Sequence, residues 1–141
     1  METFAFQLEV TSADGSLYSG KVKSVRVTGS EGELGIRYGH TPLITTIKTG
    51  LVSLVDVNDK EEQIYLAGGV LEVQPEVTTI LADTALRAND IDEAKAQEAM
   101  NAAKDAINKH QSGDMDYNTA LARLADAMAR LKVVDIAKNR H

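Results

Sequence analysis

His40 is the residue of the N-terminal half best suited to proton transfer, and it sits in Gly39-His40-Thr41-Pro42. A general base needs an orienting carboxylate and a nucleophile within reach. Serines and aspartates occur in the same half, but their spacing matches no such constellation. A loop or interface hydrogen bond is the better reading for His40. Gly68-Gly69 has the composition to let backbone amides cradle a phosphate. Neither a Lys-Ser/Thr pair nor a helix follows, and Val70 opens a β run, so close backbone packing is favoured there. The third cluster, Asn89-Asp90-Ile91-Asp92-Glu93, is acidic and precedes an alanine-rich stretch. Asp90-x-x-Glu93 has capping-box spacing, and carboxylates suit the positive end of a helix. With no cysteine in the chain, thiolate catalysis, disulfides and cysteine metal sites are all excluded. No catalytic constellation emerges, so a non-catalytic protein is expected, with no metal and no cofactor.

The elements that would position these groups change character near Leu81 to Ala96. Upstream, Phe4, Phe6, Leu8 and Val10 alternate with Ala5, Gln7 and Glu9 in the period of a half-buried strand. Val22, Val25 and Val27 form a second run whose parity slips at Ser24, which implies a bulge. Gly29-Ser30-Glu31-Gly32 predicts a turn, and Leu34 and Ile36 bracket Gly35. Leu43, Ile44 and Ile47 follow Pro42. Leu51 to Val57 is apolar on both parities, as in a strand covered on both faces. Asn58 to Glu62 is a polar hairpin loop before Ile64-Tyr65-Leu66. Val70 to Val73 and Val77 to Leu81 are further runs, separated by Gln74-Pro75-Glu76. Short strands with glycine turns predict an antiparallel sandwich or barrel over residues 1–86.

Downstream, over residues 87–141, the apolar spacing becomes three and four. Ala96, Ala99, Met100, Ala103, Ile107 and His110 share one helical face, and Ser112-Gly113 is a helix stop. Asp116 is placed to cap a second helix with the stripe Tyr117, Leu121, Leu124, Met128 and Leu131. The expected architecture is an all-β N-terminal sandwich or barrel followed by an all-α antiparallel two-helix hairpin. Alanine-rich stripes bury little area, so the hairpin is expected to be marginally held and able to open while each helix stays helical.

Composition narrows the partners. Hydrophobic residues at 43% and charged residues at 26% are the mix of a soluble folded protein. Tryptophan is absent and aromatics are only 4%, which disfavours a carbohydrate-binding or hydrolytic module. From Arg123 onward five basic residues face two acidic ones, a segment of +3, and the remaining ten basic and nineteen acidic residues make −9. A basic tip on an acidic body disfavours general nucleic-acid binding and suits an acidic protein partner. The start, Met1-Glu2-Thr3-Phe4, lacks signal-peptide character, and no run approaches the roughly 20 apolar residues of a membrane span. Membrane contact is expected only through a partner.

Four motifs carry a resemblance: Gly32-Glu33-Leu34-Gly35-Ile36, Gly39-His40-Thr41-Pro42-Leu43, Tyr65 to Val73, and Leu81-Ala82-Asp83-Thr84-Ala85. Together, and in this order, they are similar to the epsilon subunit family of bacterial F-type ATP synthases, from about Phe4 to Lys138. Arg37-Tyr38 stands where many members have a proline. The resemblance implies a β-sandwich that binds the gamma subunit and the ring of membrane c subunits, on the cytoplasmic face of the bacterial plasma membrane. It implies a non-catalytic rotor subunit that couples proton translocation to ATP synthesis. It also implies a helical hairpin that extends toward the alpha and beta subunits and inhibits ATP hydrolysis. Carried over by motif, Glu33 resembles the c-ring contact, and His40 and Thr45 resemble positions facing gamma. Arg123, Arg130 and Lys132 are candidates to meet acidic segments of alpha and beta.

Ile91-Asp92-Glu93-Ala94-Lys95-Ala96 resembles the family's ATP-binding sequence. Lys95 stands where that motif carries arginine and loses the bidentate geometry of a guanidinium. Arg130 matches one phosphate-facing arginine, while Asp126 occupies the place of another and would repel phosphate. A weak ATP site over Ile91, Asp92, Lys95, Ala96 and Arg130 is therefore the most to expect, and capping is the favoured role of Asp92. The alternative function is a nucleotide-sensing subunit whose hairpin closes on ATP.

Overall fold

The alternation at the N-terminus becomes strand β1 (Phe6–Ser12), with Phe6, Leu8 and Val10 buried. It is followed by β2 (Gly15–Gly29), β3 (Gly32–Arg37), β4 (Leu43–Asp56), β5 (Glu61–Val73) and β6 (Val77–Arg87). A single 3-10 turn, Ala88–Asp90, leads to helices α1 (Glu93–Lys109) and α2 (Met115–Lys138). This computed structural model describes residues 4–29, 32–109 and 115–139. The expectations at Ser30-Glu31, at His110 and at Ser112-Gly113 lie outside the described residues.

The strands run β1-β6-β5-β4-β2-β3 across one six-stranded sheet, and a further β1–β2 pairing closes it on itself. All neighbours are antiparallel except β1 and β6. The sheet folds over because its long strands change which parity faces inward. In β2 the register slips between Val22 and Ser24, so Val22, Val25 and Val27 are all buried. This is the bulge that the valine spacing predicts. In β4 the inward residues pass from Ile47 to Val52 and Leu54, in β5 from Ile64 and Leu66 to Leu71 and Val73, and in β6 from Ile80 and Ala82 to Ala85.

The crease in the three strands passes through paired positions: Ile47 faces Gly69, and Gly69 faces Ala82. Gly69 has φ of +135°, and a Cβ there would lie 2.2 Å from the Leu81 carbonyl oxygen. Only glycine allows the backbones to meet at that point. The runs on either side of Gly68-Gly69 therefore belong to one strand, where the sequence pattern suggests two.

The result is two β layers around one aliphatic core of Val, Leu and Ile. Arg87 fastens the end of β6 to its neighbours: its Nε donates to the Leu17 carbonyl of β2 at 3.0 Å, and its Nη1 lies 3.2 Å from Glu62 Oε1 of β5. The sandwich is thus complete before the helices begin.

The helices depart from the sequence expectation in three places. Glu93 opens α1, and the carboxylate of Asp92, one residue before it, accepts from the Lys95 N–H at 3.0 Å. The Asp90-x-x-Glu93 box does not form; Asp92 takes the N-cap position, and Asp90 ends the 3-10 turn. In α2, Asp116 lies in the first turn rather than before it. The stripe Tyr117, Leu121, Leu124, Met128 and Leu131 is not the buried face either: Leu121 is 40% and Met128 53% exposed. The buried residues of α2 are Ala120, Ala127, Val133 and Val134. Small residues win that face because α1 lies close against it, with Ala96 and Ala103 buried from its own side.

Candidate functional site

Two outer faces of the sandwich differ in what covers them. On the first, α2 lies across β4 and β5, while α1 leans on α2. Ile64 and Leu66 point into the core, so Tyr65 between them must point outward, and it is nevertheless fully buried. Its cover is a small cluster made of Ile91, Val133 and Val134, edged by Leu51, Ala67, Leu86, Ala88 and Ala129. A buried phenol needs a hydrogen-bond partner. Tyr65 donates its hydroxyl proton to the carboxylate of Asp126 on α2. Arg130, one turn further along α2, donates from Nε to Asp126 Oδ2 at 3.0 Å and lays its guanidinium carbon 4.5 Å from the centre of the Tyr65 ring.

The electrostatics of this trio follow from that geometry. Burial pushes the Tyr65 hydroxyl up to about 12, the bond to Asp126 and the charge of Asp126 add to the rise, and Arg130 opposes it. Burial works against the charged form of Arg130, but its contacts with Tyr65 and Asp126 outweigh that and hold the guanidinium charged. The trio is a neutral phenol, a carboxylate and a cation, arranged to hold rather than to react.

The predicted hairpin cations divide. Arg130 is committed to this trio. Lys132 is exposed and lines a groove of about 800 Å³ between the hairpin and the sandwich, together with Met100, Met128 and Asp135. Arg123 is exposed on a second groove, of about 660 Å³, lined largely by alanines of both helices. Glu33 is exposed on β3, 3.8 Å from Arg26, and lines the first groove from the sandwich side.

The residues of the ATP-like motif are spread over different duties. Ile91 is buried in the cluster under α2, and Asp92 caps α1. Lys95 is exposed, and Ala96 is buried between the helices. Of the motif, only Glu93 lines a groove, the first; Ile91, Asp92, Lys95, Ala96 and Arg130 line neither. Among the described residues, no cluster of His, Asp and Glu is arranged to hold a metal ion.

Among the described residues, no helix covers the second outer face. Ile44 is 69%, Val70 39% and Leu81 56% exposed. Register places Thr46, Val70 and Leu81 side by side across β4, β5 and β6, with Ile44 one pleat away on the same face. His40 lies at the entrance to β4, in the turn where its N–H donates to the Arg37 carbonyl at 3.1 Å and its Nδ1 donates to the Thr41 carbonyl at 2.7 Å. Thr45 shares its parity with the core residue Ile47 and is half-buried, so the outward residues beside it are Ile44 and Thr46. The motif comparison singles out Thr45 and does not name Ile44, Val70 or Leu81. Read by parity from Ile47, Leu71 and Ile80, the sequence offers these three as outward-facing apolar residues, but only the pairing register shows that they adjoin.

Comparison with known proteins agrees with the two-part architecture. The chain is similar in fold to a chain in the cryo-EM structure of the Euglena gracilis mitochondrial ATP synthase, described as OSCP/F1/c-ring in rotational state 1, with a TM-score of 0.78 and 20% identity over 99% of this chain and 84% of that one. It is also similar to a chain of the Tetrahymena thermophila mitochondrial ATP synthase, central stalk/c-ring, with a TM-score of 0.57 and 10% identity over 95% of this chain and 99% of that one. Residues 5–88 match the family described as ATP synthase, Delta/Epsilon chain, beta-sandwich domain, and residues 89–135 match its long alpha-helix domain. With a sandwich closed before Arg87, two helices laid on one of its faces, and family profiles spanning both parts, the chain belongs to the delta/epsilon chain family of the ATP synthases.

Proposed function

We propose that this chain is a non-catalytic subunit of the central stalk of an F-type ATP synthase, which turns with the gamma subunit and the c ring and couples proton translocation to ATP synthesis. The observation that carries this reading is the exposed apolar row Ile44, Val70 and Leu81 across β4, β5 and β6. An exposed apolar patch on a small domain marks a protein contact. A row along a sheet face fits the side of a long helix, as a gamma shaft would present. Glu33, exposed on β3, fits a polar contact with the c ring. No helix among the described residues is long and apolar enough to cross a membrane. Attachment at the cytoplasmic face of the membrane would come through these partners.

The hairpin is proposed to restrain ATP hydrolysis by leaving the sandwich and reaching toward alpha and beta. Its seam with the sandwich is narrow, and the α1–α2 contact is lined by alanine. Either helix can therefore move without unfolding the sandwich core. Once extended, the outward residues Leu121, Met128, Arg123 and Lys132 would meet an acidic partner, with charge steering the encounter more than fixing the affinity. Nucleotide is given a minor part. Asp92 is occupied as a cap, Ile91 is buried and Arg130 is paired, so ATP is proposed to bind weakly or negligibly, and titration calorimetry at millimolar ATP would register little heat.

Deleting residues 88–141 tests the main reading in the assembled enzyme. The sandwich keeps Arg87 and its ties to β2, so assembly and coupling should persist while ATP hydrolysis rises. Loss of assembly on deletion, or unchanged hydrolysis, contradicts it.

A further inference from the structure

We propose that Tyr65, Asp126 and Arg130 form a reversible clasp that holds α2 on the sandwich and, while closed, withholds the Arg130 guanidinium from acidic partners. The clasp stands on geometry alone; only its consequence for hydrolysis rests on the function proposed above.

The way the charges are divided makes the clasp reversible. Asp126 and Arg130 both belong to α2, at a spacing of four, and they pair with each other within the helix. An ion pair split between sandwich and helix would leave each half with an uncompensated charge on opening. Here the pair leaves together, already matched, and only the neutral hydroxyl of Tyr65 stays behind. What docking adds is the hydrogen bond from Tyr65 to Asp126, a longer one from Arg130 Nη2 to the Tyr65 hydroxyl at 3.5 Å, the stacking of Arg130 on the ring, and the cover of Val133 and Val134. None of these survives a lift of α2, and none leaves a stranded charge.

The same contacts decide what a partner can reach. Arg130 has one flat face against the Tyr65 ring and its Nε turned to Asp126. That leaves it poorly placed for a bidentate grip on a foreign carboxylate. Arg123 and Lys132 are exposed on the docked hairpin. Opening therefore uncovers the guanidinium face that lies on Tyr65, beside two cations already on offer, while the Nε of Arg130 stays paired with Asp126. The released hairpin thus presents Arg130 to a partner without any change in net charge.

The full chain has no cysteine of its own, so Glu76→Cys and Ala122→Cys, both at exposed positions, take spin labels cleanly. Distance distributions between them should show a dominant docked population. Tyr65→Phe should raise the minor open fraction about fivefold or more, since it removes the bond to Asp126 and the longer one from Arg130. Arginine modification by phenylglyoxal, read peptide by peptide, should find Arg130 severalfold slower than Arg123 in the parent chain and comparable to it in the variant. Should Tyr65→Phe fold poorly, Asp126→Ala on the helix surface should give the same two shifts. An unchanged open fraction and unchanged Arg130 reactivity in a folded variant overturn the proposal. A more open hairpin with unaltered hydrolysis in the assembled enzyme upholds the clasp and contradicts the inhibitory reading.

Discussion

Tyr65 and Asp126 stand 61 positions apart in the chain, one on a central strand and the other on the last helix, yet the phenol of the first donates directly to the carboxylate of the second. This bond joins the two units of the protein where the apolar seam between them is narrow, and the strength of docking depends on it. Its pH dependence follows. The Tyr65 hydroxyl is pushed from 10.0 up to about 12 by burial first and then by Asp126, with Arg130 opposing. Its contribution to docking is complete below pH 10, where the phenol is neutral in both states, and is lost as pH rises toward 12. Spectrophotometric titration should find one of the four tyrosines ionising near pH 12. The hairpin should open across the same window, and Asp126→Ala should bring the late ionisation down.

Val133 and Val134 supply the apolar part of the same seam. Replacing Val134 by Ala should weaken docking by about 1–2 kcal/mol. Hydrogen exchange should show faster opening of α2 while protection of β1 to β6 is unchanged. Parallel loss of protection in the strands would mean that the two units unfold as one.

Gly69 tests the crease that gives the sandwich its shape. Gly69→Ala adds a clash with the Leu81 carbonyl to the strain of φ at +135°. Strain alone costs about 1–3 kcal/mol, and a forced backbone shift adds a similar amount. At Gly15, φ is +122° but nothing lies within 4 Å of an added Cβ. Urea unfolding should therefore rank Gly69→Ala clearly below Gly15→Ala in stability.

Ile44 and Val70 are exposed, so Ile44→Asp and Val70→Asp should change folding stability by no more than about 0.5 kcal/mol. If this face is the grip on the rotor, either change should sharply reduce co-purification with the ATP synthase. Full retention in the complex would move the contact elsewhere.

Much of the sandwich was legible in the residues themselves. Alternation located β1, the valine spacing located the bulge near Ser24, and the polar run after Val57 located the turn into β5. Short-range pattern could not show that Gly68-Gly69 lies within one strand, because the crease depends on β4 and β6 bending at the same level. The helices misled in an instructive way. Tyr117, Leu121, Leu124, Met128 and Leu131 form the more hydrophobic stripe of α2, yet Ala120 and Ala127 are buried because close helix contact selects for size rather than hydrophobicity. Position along the chain could not pair Tyr65 with Asp126, since an isolated aspartate on a helix gives no hint of a partner on a distant strand. Register likewise decides that Ile44 faces outward where motif comparison had pointed to Thr45.

The most direct test of the moving hairpin is to lock it in place. Cysteines at Ala67 and Ala129, which edge the same cluster from the sandwich and from α2, would be joined by a short reducible bis-thiol crosslinker in a chain with no other thiol. In the assembled ATP synthase the linked form should hydrolyse ATP faster than the reduced form, with inhibition returning on reduction. Equal hydrolysis in the two forms, with the crosslink shown to be complete, would mean that the hairpin does its work without ever leaving the sandwich.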